Sequence, residues 1–267
     1  MGSSISKMGS LKLTFLGTGT SLGVPIIGCH CEVCSSKDSR DKRLRTSALI
    51  ESDKGTRICI DSGPDFRYQM LREGVEYLDA ILITHEHRDH TAGLDDIRAF
   101  NYLQQRAMDI YGNKQALNGM RKMYYYVFEN AKYPGVPNFN LHEIDPYTIN
   151  HFNIKELDII PIEVMHAKLP TLAFRIGSLA YVTDAKTIDA LQEKKLYGVK
   201  TLVVNALRRQ EHFSHFTIDE AISLIERVQP QEAYLTHLSH EVGTYEKVEK
   251  QLPQNIHLAY DGLQVEV

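Results

Sequence analysis

A run of metal-binding side chains directly after an apolar segment constrains this chain more than any other feature of its sequence. Residues 78–83 (LDAILI) have the length of a buried strand, and after Thr84 the chain continues as His85-Glu-His-Arg-Asp-His90. In extended backbone His85 and His87 project to the same side, and a turn into a helix brings Asp89 and His90 to a second position. Imidazole and carboxylate groups suit Zn²⁺, Mn²⁺ and Fe²⁺. The spacing therefore predicts a metal site at the end of a buried strand.

Strand-like and helix-like segments alternate along the rest of the chain. Hydrophobic patterns and turn residues predict strands at residues 11–16, 48–51, 56–60, 78–83, 157–164, 171–176, 179–182, 202–204 and 233–235. Helices are predicted at residues 66–72, 93–105, 114–129, 187–195 and 217–228, the last with a capping-box pattern at Thr217 and Glu220. The Pro- and Asn-containing stretch over residues 131–153 is expected to be irregular.

Two features recur in both halves of the chain. A predicted hairpin ends in Asp61 and again in Asp184, and an apolar strand ends in Thr84-His85 and again in Thr236-His237. This repetition indicates two related halves, packed sheet against sheet with helices outside. Because no Pro-, Gly- or Ser-rich linker divides the halves, we expect one domain over residues 11–267. The Ser- and Gly-rich residues 1–10 are expected to be a flexible arm or a cloning remnant.

Three of the four cysteines, Cys29, Cys31 and Cys34, lie within six residues of one another. Residues 1–10 lack the apolar core of an export signal, so we expect a cytoplasmic protein. In a reducing compartment such a cluster is more typical of a metal site than of disulfides. A closed tetrahedral zinc site needs a fourth ligand, and the adjacent His30 is one candidate. Cys59, alone in an apolar run, is expected to be a buried small hydrophobe.

Composition excludes several classes of protein. The chain has 43% hydrophobic and 24% charged residues, which is typical of a globular rather than a disordered protein. No stretch reaches the roughly 18 consecutive apolar residues of a transmembrane helix, so we expect no membrane association. With a net charge of −4 and no long Lys/Arg run, no stable nucleic-acid partner is expected either.

The H-x-H-x-D-H motif at His85–His90 resembles that of the metallo-β-lactamase superfamily. The Gly-Thr-Gly-Thr loop at residues 17–20, followed by Cys29-x-Cys31-x-x-Cys34, is more narrowly similar to the PhnP-like cyclic phosphodiesterase branch. The resemblance covers essentially residues 11–267. It implies an α/β protein with the metallo-β-lactamase fold, a four-layer αββα sandwich of two mixed sheets and outer helices.

The resemblance also implies two catalytic divalent metals, Zn or Mn. Three further ligands should follow in the order His, Asp, His, and the sequence supplies His166, Asp184 and His237, each where a predicted strand gives way to a loop. Carried over residue by residue, one metal is held by His85, His87 and His166, and the other by Asp89, His90 and His237. Asp184 would bridge the two metals, and Asp89 counts among the catalytic residues as well.

A second metal site and a catalytic histidine are implied in the same way. His240, three residues beyond His237, would complete a structural zinc site with the three clustered cysteines, in competition with His30. The segment 211–216 resembles a His-x-x-His stretch of the family. Its His215 is predicted to be the general acid or a phosphate contact because it lies nearest a helix N-terminus, and His212 is the alternative.

The activity implied is metal-dependent hydrolysis of a small cyclic phosphate by a metal-bridging hydroxide, with ribose 1,2-cyclic phosphate 5-phosphate as the family's substrate. Arg88, Arg208 and Arg209 are candidates to bind a terminal phosphate, and the sequence does not choose among them. Two alternative functions stay open. One is a tRNA 3′-processing nuclease, and the other is a non-hydrolytic metal-binding protein similar to the PQQ-biosynthesis relatives. A homodimer is the default expectation for an enzyme.

Overall fold

The strands of this chain pair into two mixed sheets, seen in a computed structural model that describes residues 9–129 and 135–267. Of the predicted arm over residues 1–10, only the last two residues fall in this range, and the first four residues of the predicted irregular stretch 131–153 lie outside it. The strands in the described residues are β1 Leu11–Gly17, β2 Ser47–Ser52, β3 Arg57–Ile60, β4 Ala80–Leu82, β5 Met108–Gly112, β6 Phe139–Glu143, β7 Phe152–Ile154, β8 Leu157–His166, β9 Leu169–Ile176, β10 Leu179–Val182, β11 Thr201–Asn205, β12 Glu232–Thr236, β13 Ile256–Leu258 and β14 Gln264–Glu266.

Helices connect the parallel strands and cover the outer faces of the sheets. In the same residues the α-helices are α1 Phe66–Arg72, α2 Arg88–Thr91, α3 Arg98–Gln104, α4 Lys114–Met123, α5 Tyr125–Phe128, α6 Ala190–Glu193, α7 Ile218–Val228 and α8 Tyr245–Glu249. Short 3₁₀ turns lie at Ser39–Asp41, Leu94–Ile97, Lys194–Leu196 and His240–Val242. None of the helices in the described part of the chain has the length and apolar composition needed to cross a bilayer.

The two sheets are built in the same way. Their strand orders are β14-β1-β2-β3-β4-β5-β6 and β13-β12-β11-β10-β9-β8-β7, as far as the described residues go. In each sheet antiparallel pairing gives way to parallel pairing at one strand, β3 in the first sheet and β10 in the second. Asp61 and Asp184 follow these two strands, so the repeated aspartate predicted from the sequence marks equivalent points of two related sheets. Such switch points are where open α/β sheets bind ligands.

Three apolar layers separate the four layers of secondary structure, which confirms the predicted αββα sandwich. The middle layer lies between the sheets and contains Phe15 and Ile50 of the first sheet and Phe174 of the second. One outer layer packs α1, α3 and α4 on the first sheet. The other packs α7, through residues such as Leu224, on β11 and β12. Both sheets are thus buried on both faces, as parallel pairing requires.

The sequence pattern was wrong about several short elements. The helix predicted over residues 114–129 is interrupted at Tyr124, whose φ of −111° and ψ of 39° are not helical. Strand β5 was not predicted, although its Met-Asp-Ile-Tyr-Gly sequence alternates between buried and half-buried positions. Strands β6 and β7 lie in the stretch predicted to be irregular, and α8, β13 and β14 were also missed. Elements of three to five residues carry too little periodicity to be detected without their neighbours.

Backbone contact between two loops positions the metal-binding segment. A Cβ built on Gly63 would lie 2.1 Å from the Asp89 carbonyl oxygen, and one on Gly93 would lie 2.1 Å from the Gly63 carbonyl oxygen. The amide of Ser62 donates to the carbonyl of His90 at 2.8 Å, and the amide of Gly93 donates to Ser62 at the same distance. Only glycine allows this approach, so the loop after β3 supports the metal-binding loop directly.

The capping box of α7, predicted from the sequence, is present and gives a test of the fold. The Glu220 amide donates to the Thr217 hydroxyl at 3.2 Å, and the Thr217 amide donates to the Glu220 carboxylate at 2.8 Å. We expect Thr217→Ala to lower the free energy of unfolding by about 1 kcal/mol in urea titrations followed by circular dichroism. Ser223→Ala removes an exposed hydroxyl from the same helix and should change the free energy of unfolding by less than about 0.5 kcal/mol. Equal losses in the two variants would contradict the capping role.

Candidate metal centre

The side chains predicted to bind the catalytic metals converge where the loops of the two sheets meet. His85 follows β4, His166 ends β8, and His237 follows β12. The ligand atoms of His85, His87 and His166 lie within 4.8 Å of one another, and so do those of Asp89, His90 and His237. The structure therefore brings together the same two groups of three that the resemblance implied.

Asp184 lies between the two groups. One of its carboxylate oxygens is 3.2 Å from Nε2 of His90, and the other is 3.3 Å from Nε2 of His237. Its ligand atom is also within 4.8 Å of those of His85 and His90, and of those of His166 and His215. A carboxylate in this position can reach cations held by either group, as a bridging ligand must.

Three residues of the site have backbone conformations that non-glycine residues rarely adopt. The φ angles of Asp61, Asp184 and His237 are 61°, 53° and 55°. Left-handed backbone at a non-glycine residue costs of order 1 kcal/mol or more, and it persists where surrounding contacts determine it. Asp61 and His237 directly follow β3 and β12, and Asp184 is the second residue after β10. The left-handed turn at each position directs the side chain back over the end of the strand.

Asp61 orients two of the histidines and was not predicted to belong to the site. Its carboxylate is 2.6 Å from Nδ1 of His90, and it accepts hydrogen bonds from the Thr84 amide and hydroxyl, both at 2.9 Å. The Thr84 hydroxyl in turn lies 3.0 Å from Nδ1 of His85. Both imidazoles therefore turn Nε2 toward the cluster. The repetition of Asp61 and Asp184 in the sequence was the signal that could have found it.

His166 and His215 are positioned from the second sheet. Nδ1 of His166 donates to the backbone carbonyl of Ser214 at 2.9 Å, which leaves its Nε2 for a metal. The buried ring of His215 lies 4.5 Å from that of His166 and 4.7 Å from that of His237, centroid to centroid. Its Nδ1 is 3.7 Å from Asp184. The predicted catalytic histidine thus lies inside the cluster, whereas the alternative, His212, is half-buried at its rim.

The donor set fits cations. Within the described residues, several buried ring nitrogens have no hydrogen-bond partner, namely Nε2 of His85, Nε2 of His90, Nδ1 of His215 and both nitrogens of His237. Buried polar atoms are almost always paired because leaving one unpaired costs about 1–3 kcal/mol. Ring nitrogens directed at one another across a cluster cannot all be satisfied by protons. Divalent cations bound to them would satisfy these atoms.

Electrostatics favour cation binding as well. Burial lowers the pKa of His85 well below its ordinary value, so the ring is neutral and able to bind a metal. Burial also acts to lower the pKa of His90, but the surrounding carboxylates of Asp184, Asp89 and Asp61 outweigh it and raise that pKa. A proton on His90 therefore offsets negative charge that metal cations would neutralise more completely.

The cysteine cluster forms a second group of ligands. Nδ1 of His240 lies 3.3 Å from the sulfurs of Cys29 and Cys31 and 3.5 Å from that of Cys34. Tetrahedral zinc with bonds of about 2.0–2.3 Å would separate these atoms by roughly 3.5 Å, so the donor set fits. A backbone hydrogen bond from Cys34 lowers the pKa of Cys31 to about 6. Of the two candidates for fourth ligand, His240 is in this group and the exposed His30 is not.

Loops from both ends of the chain brace the segment that carries His237. Gly19 forms a β-bridge with Leu238, and the Leu238 amide donates to the Thr18 carbonyl at 2.8 Å. The amide and hydroxyl of Thr18 donate to Asp261 at 2.9 and 2.8 Å. The Gly-Thr-Gly-Thr loop at residues 17–20 therefore has a structural role, because these contacts connect it to Leu238 and Asp261.

Comparison with known proteins agrees with this geometry. Residues 56–238 match the family model of the beta-lactamase superfamily domain. The crystal structure of a diphosphatase from the PhnP family superposes on 97% of this chain and 97% of its own, with a TM-score of 0.89 and 36% identity. Over 95% of its length the chain is 44% identical to an octanoyltransferase of Porphyromonas gingivalis, but it spans only 51% of that protein. It is 23% identical to the anti-Pycsar protein Apyc1 of Bacillus phage 010DV004, over 85% of this chain and 89% of that one.

The contact between Asp61 and His90 predicts that Asp61 strengthens metal binding at the cluster. We expect Asp61→Asn to weaken binding of one of the two metals about 10–100-fold, because the neutral amide no longer holds the His90 ring by a charged hydrogen bond. Metal content after dialysis and chelator-competition titration would measure this. Asp158→Asn is a matched control, because Asp158 pairs with the exposed His151 at 2.6 Å. Wild-type affinity in Asp61→Asn would contradict the orienting role.

The cysteine cluster predicts a separate, removable zinc. Cys31→Ser and His240→Ala should each lose one equivalent of zinc, measured by mass spectrometry of the native protein, while the other bound metals are retained. Cys59→Ala and His30→Ala should keep the full zinc content, since Cys59 is buried in β3 and His30 is exposed. Zinc loss in His30→Ala and its retention in His240→Ala would reverse the assignment of the fourth ligand.

Proposed function

Because this chain belongs to the metallo-β-lactamase superfamily and a diphosphatase is among its structural relatives, we propose that it is a dinuclear phosphodiesterase acting on a small cyclic phosphate. The observation that carries the proposal is the position of Asp184. It lies 3.2–3.3 Å from Nε2 of His90 and His237, and it also reaches the group formed by His85 and His166. Two groups of ligands joined by one carboxylate are the donor set of a two-metal hydrolase.

We propose seven ligands, with His85, His87 and His166 in one set, Asp89, His90 and His237 in the other, and Asp184 shared between the two. When bound, a pair of divalent cations activates water near neutral pH and neutralises charge that develops on a phosphoryl oxygen. Imidazole and carboxylate ligands suit both Zn and Mn. The exposed ring of His87 lies on the open side of the cluster, and His85 and His90 are fully buried. Substrate therefore approaches from the side of His87.

Residues around the ligands keep the reacting geometry constant. Asp61 and the Ser214 carbonyl hold the Nδ1 atoms of His90 and His166, so neither ring can rotate away from the cluster. Ligands supported in this way need little reorganisation when charge develops during the reaction. Asp89, largely buried beside His90 and His237, is kept ionised because those two rings outweigh the effect of burial and lower its pKa.

For His215 we propose a phosphate contact rather than a charged general acid. Burial, reinforced by the neighbouring His237, lowers the pKa of His215 to about 2. Cations bound in the cluster would lower this pKa further, since like charges repel. A neutral imidazole still donates one N–H hydrogen bond, which can stabilise a phosphoryl oxygen. His212, whose ring lies 5.2 Å from that of His215, stays the alternative for proton transfer to the leaving group.

The relatives extend the range of substrates that should be tested. The structural relative at 36% identity is a diphosphatase, so a phosphoanhydride is the second substrate class that this site favours. The octanoyltransferase is about twice as long as the region that it shares with this chain, so a thioester serves only as a control substrate. The tRNA-processing alternative receives little support from a chain with net charge −4.

The test is a set of initial rates with protein loaded with Zn²⁺ or Mn²⁺. The substrates are ribose 1,2-cyclic phosphate 5-phosphate, a 2′,3′-cyclic nucleotide, a nucleoside diphosphate, a precursor tRNA and a thioester. We expect selective turnover of a cyclic phosphate, and a loss of at least 10³-fold in Asp184→Ala, which should also lose at least one metal. Asp158→Asn serves as the control with an intact cluster.

The other results would each change the proposal in a defined way. Turnover of the diphosphate alone would keep the metal-dependent reaction and replace the substrate class. Turnover of the precursor tRNA alone would establish the nuclease alternative. Failure of every substrate with protein shown to hold two clustered metals would overturn the hydrolytic proposal in favour of a non-hydrolytic metal-binding protein.

A further inference from the structure

His237 differs from the other buried histidines of the ligand cluster in how its ring is held. Nδ1 of His90 lies 2.6 Å from the Asp61 carboxylate. Nδ1 of His85 lies 3.0 Å from the Thr84 hydroxyl. Within the residues that the structure describes, neither ring nitrogen of His237 has a hydrogen-bond partner. A metal-binding imidazole normally donates its second N–H to a neighbouring group that fixes the ring, so the orientation of His237 depends on its backbone instead.

The Gly-Thr-Gly-Thr loop holds the backbone next to His237 from both sides. The Leu238 amide donates to the Thr18 carbonyl at 2.8 Å, and the Thr20 amide donates to the Leu238 carbonyl at 3.2 Å. Gly19, between the two threonines, forms the β-bridge with Leu238. Because His237 directly precedes Leu238 and has a left-handed φ of 55°, a shift of this loop would change the direction of the imidazole.

A second stretch of backbone packs against the other edge of the loop. The Gly19 amide donates to the Leu44 carbonyl at 2.7 Å. A Cβ built on Gly19 would lie 2.8 Å from the carbonyl oxygen of Arg43, so only glycine allows the two stretches to approach this closely. The loop therefore lies between Leu44 on one side and Leu238 on the other, and its position depends on what holds it to Leu44.

One carboxylate joins the loop to Leu44. Asp261 accepts hydrogen bonds from the amide and the hydroxyl of Thr18 through one oxygen, at 2.9 and 2.8 Å. Its other oxygen accepts the Leu44 amide at 2.7 Å and lies 3.7 Å from Nη1 of Arg72. Burial raises the pKa of Asp261 to about 6 in spite of these hydrogen bonds. The group is therefore ionised at neutral pH, and hydrogen bonds to an ionised acceptor are the stronger ones.

We propose that Asp261 is a positioning residue for His237 and so for the metal that His237 would bind. The inference rests on the proposed function and deepens it, because it concerns one of the seven proposed ligands. Asp261 orders the loop through Thr18, the loop fixes the backbone of Leu238, and that backbone directs the His237 ring. Asp261 itself lies outside the ligand cluster. It therefore strengthens metal binding by the ligand set that contains His237 and leaves the other set unchanged.

Asp79 provides a matched control for a loss of stability alone. Its side chain is 9% exposed, like that of Asp261, and it also lies 3.7 Å from an arginine, Arg106. It accepts the Arg57 amide at 2.9 Å and pairs with Lys155 at 2.7 Å. Asp79 precedes β4, whereas the metal-binding loop follows that strand. Its replacement should destabilise the fold without changing the ligands.

The test compares metal affinities in wild type, Asp261→Asn and Asp79→Asn by chelator-competition titration with Zn²⁺. In Asp261→Asn the amide group would face the Leu44 N–H, so at least one of the three hydrogen bonds is lost. We expect this variant to bind one of the two clustered metals about tenfold more weakly. The imidazole NMR signals should show that His237 loses its metal before His85 does. Asp79→Asn should bind both metals as tightly as wild type.

Hydrogen exchange of the Leu238 amide tests the backbone link in metal-free protein. We expect this amide to exchange about tenfold faster in Asp261→Asn than in wild type, and more slowly in Asp79→Asn than in Asp261→Asn. Thr18→Val removes the hydroxyl that donates to Asp261 and should produce smaller changes of the same kind. Thr18→Ser keeps that hydroxyl and should retain the wild-type metal affinity. If Asp261→Asn does not fold, the two Thr18 variants provide the test.

The outcomes separate this inference from the proposed function. If wild type and Asp261→Asn bind both clustered metals equally, the positioning role is wrong and the proposed hydrolase stands. If Asp261→Asn and Asp79→Asn weaken both metals alike, Asp261 only stabilises the fold, and the positioning role is again wrong. If wild type hydrolyses no phosphate ester but Asp261→Asn selectively weakens the metal of His237, the hydrolytic proposal fails and the positioning role stands.

Discussion

The burial of three carboxylates where the two sheets meet is the constraint on which the rest of this structure depends. Transfer of a carboxylate from water costs several kcal/mol unless opposite charge and hydrogen bonds compensate for it. His90 provides part of that compensation, 2.6 Å from Asp61, 3.3 Å from Asp89 and 3.2 Å from Asp184. Asp61, Asp89 and His90 follow strands of the first sheet, whereas Asp184 follows a strand of the second, so the contact of His90 with Asp184 forms only when the two sheets pack together. The chemistry of the site and the packing of the sandwich therefore depend on the same contacts.

How much could be predicted from the sequence depended on how local the signal was. The H-x-H-x-D-H run and the three clustered cysteines each lie within six consecutive residues, so both can be recognised from the sequence alone. The fold that they imply was confirmed. Asp61 was missed because its partner His90 is 29 residues away, and the repeated aspartate marks a strand end without revealing that contact. The ion pair of Arg208 with Glu241, 33 residues away, could not be predicted from the sequence either. The short strands β6, β7, β13 and β14 owe their existence to sheet neighbours. The single domain, the cytoplasmic location and the homodimer stay predictions from the sequence.

The site divides into a rigid part and an adaptable part. The ligands follow strands and are held by buried partners, as the hydrogen bonds of His90 and His166 illustrate. The cysteine cluster and the Gly19–Leu238 bridge hold the segment after His237 from the other side. The surface between the metal-binding loop and α4, in contrast, includes the exposed side chains of Arg88 and Lys122, which lie outside the core. Such an arrangement lets a constant hydrolytic centre serve different substrates in related chains.

The pairing of β14 with β1 has a consequence for how this chain is made. Lys12 pairs with Glu266 and Thr14 with Gln264, so the outer edge of the first sheet is covered by residues made about 250 positions later. At roughly 5–20 residues per second of translation, β1 waits for about 13–50 s before its partner emerges from the ribosome. During this interval the strand edge offers unpaired N–H and C=O groups to any other nascent chain. The order of synthesis thus leaves β1 open to mispairing in newly made molecules, because its sheet is completed by the strand most distant from it in sequence.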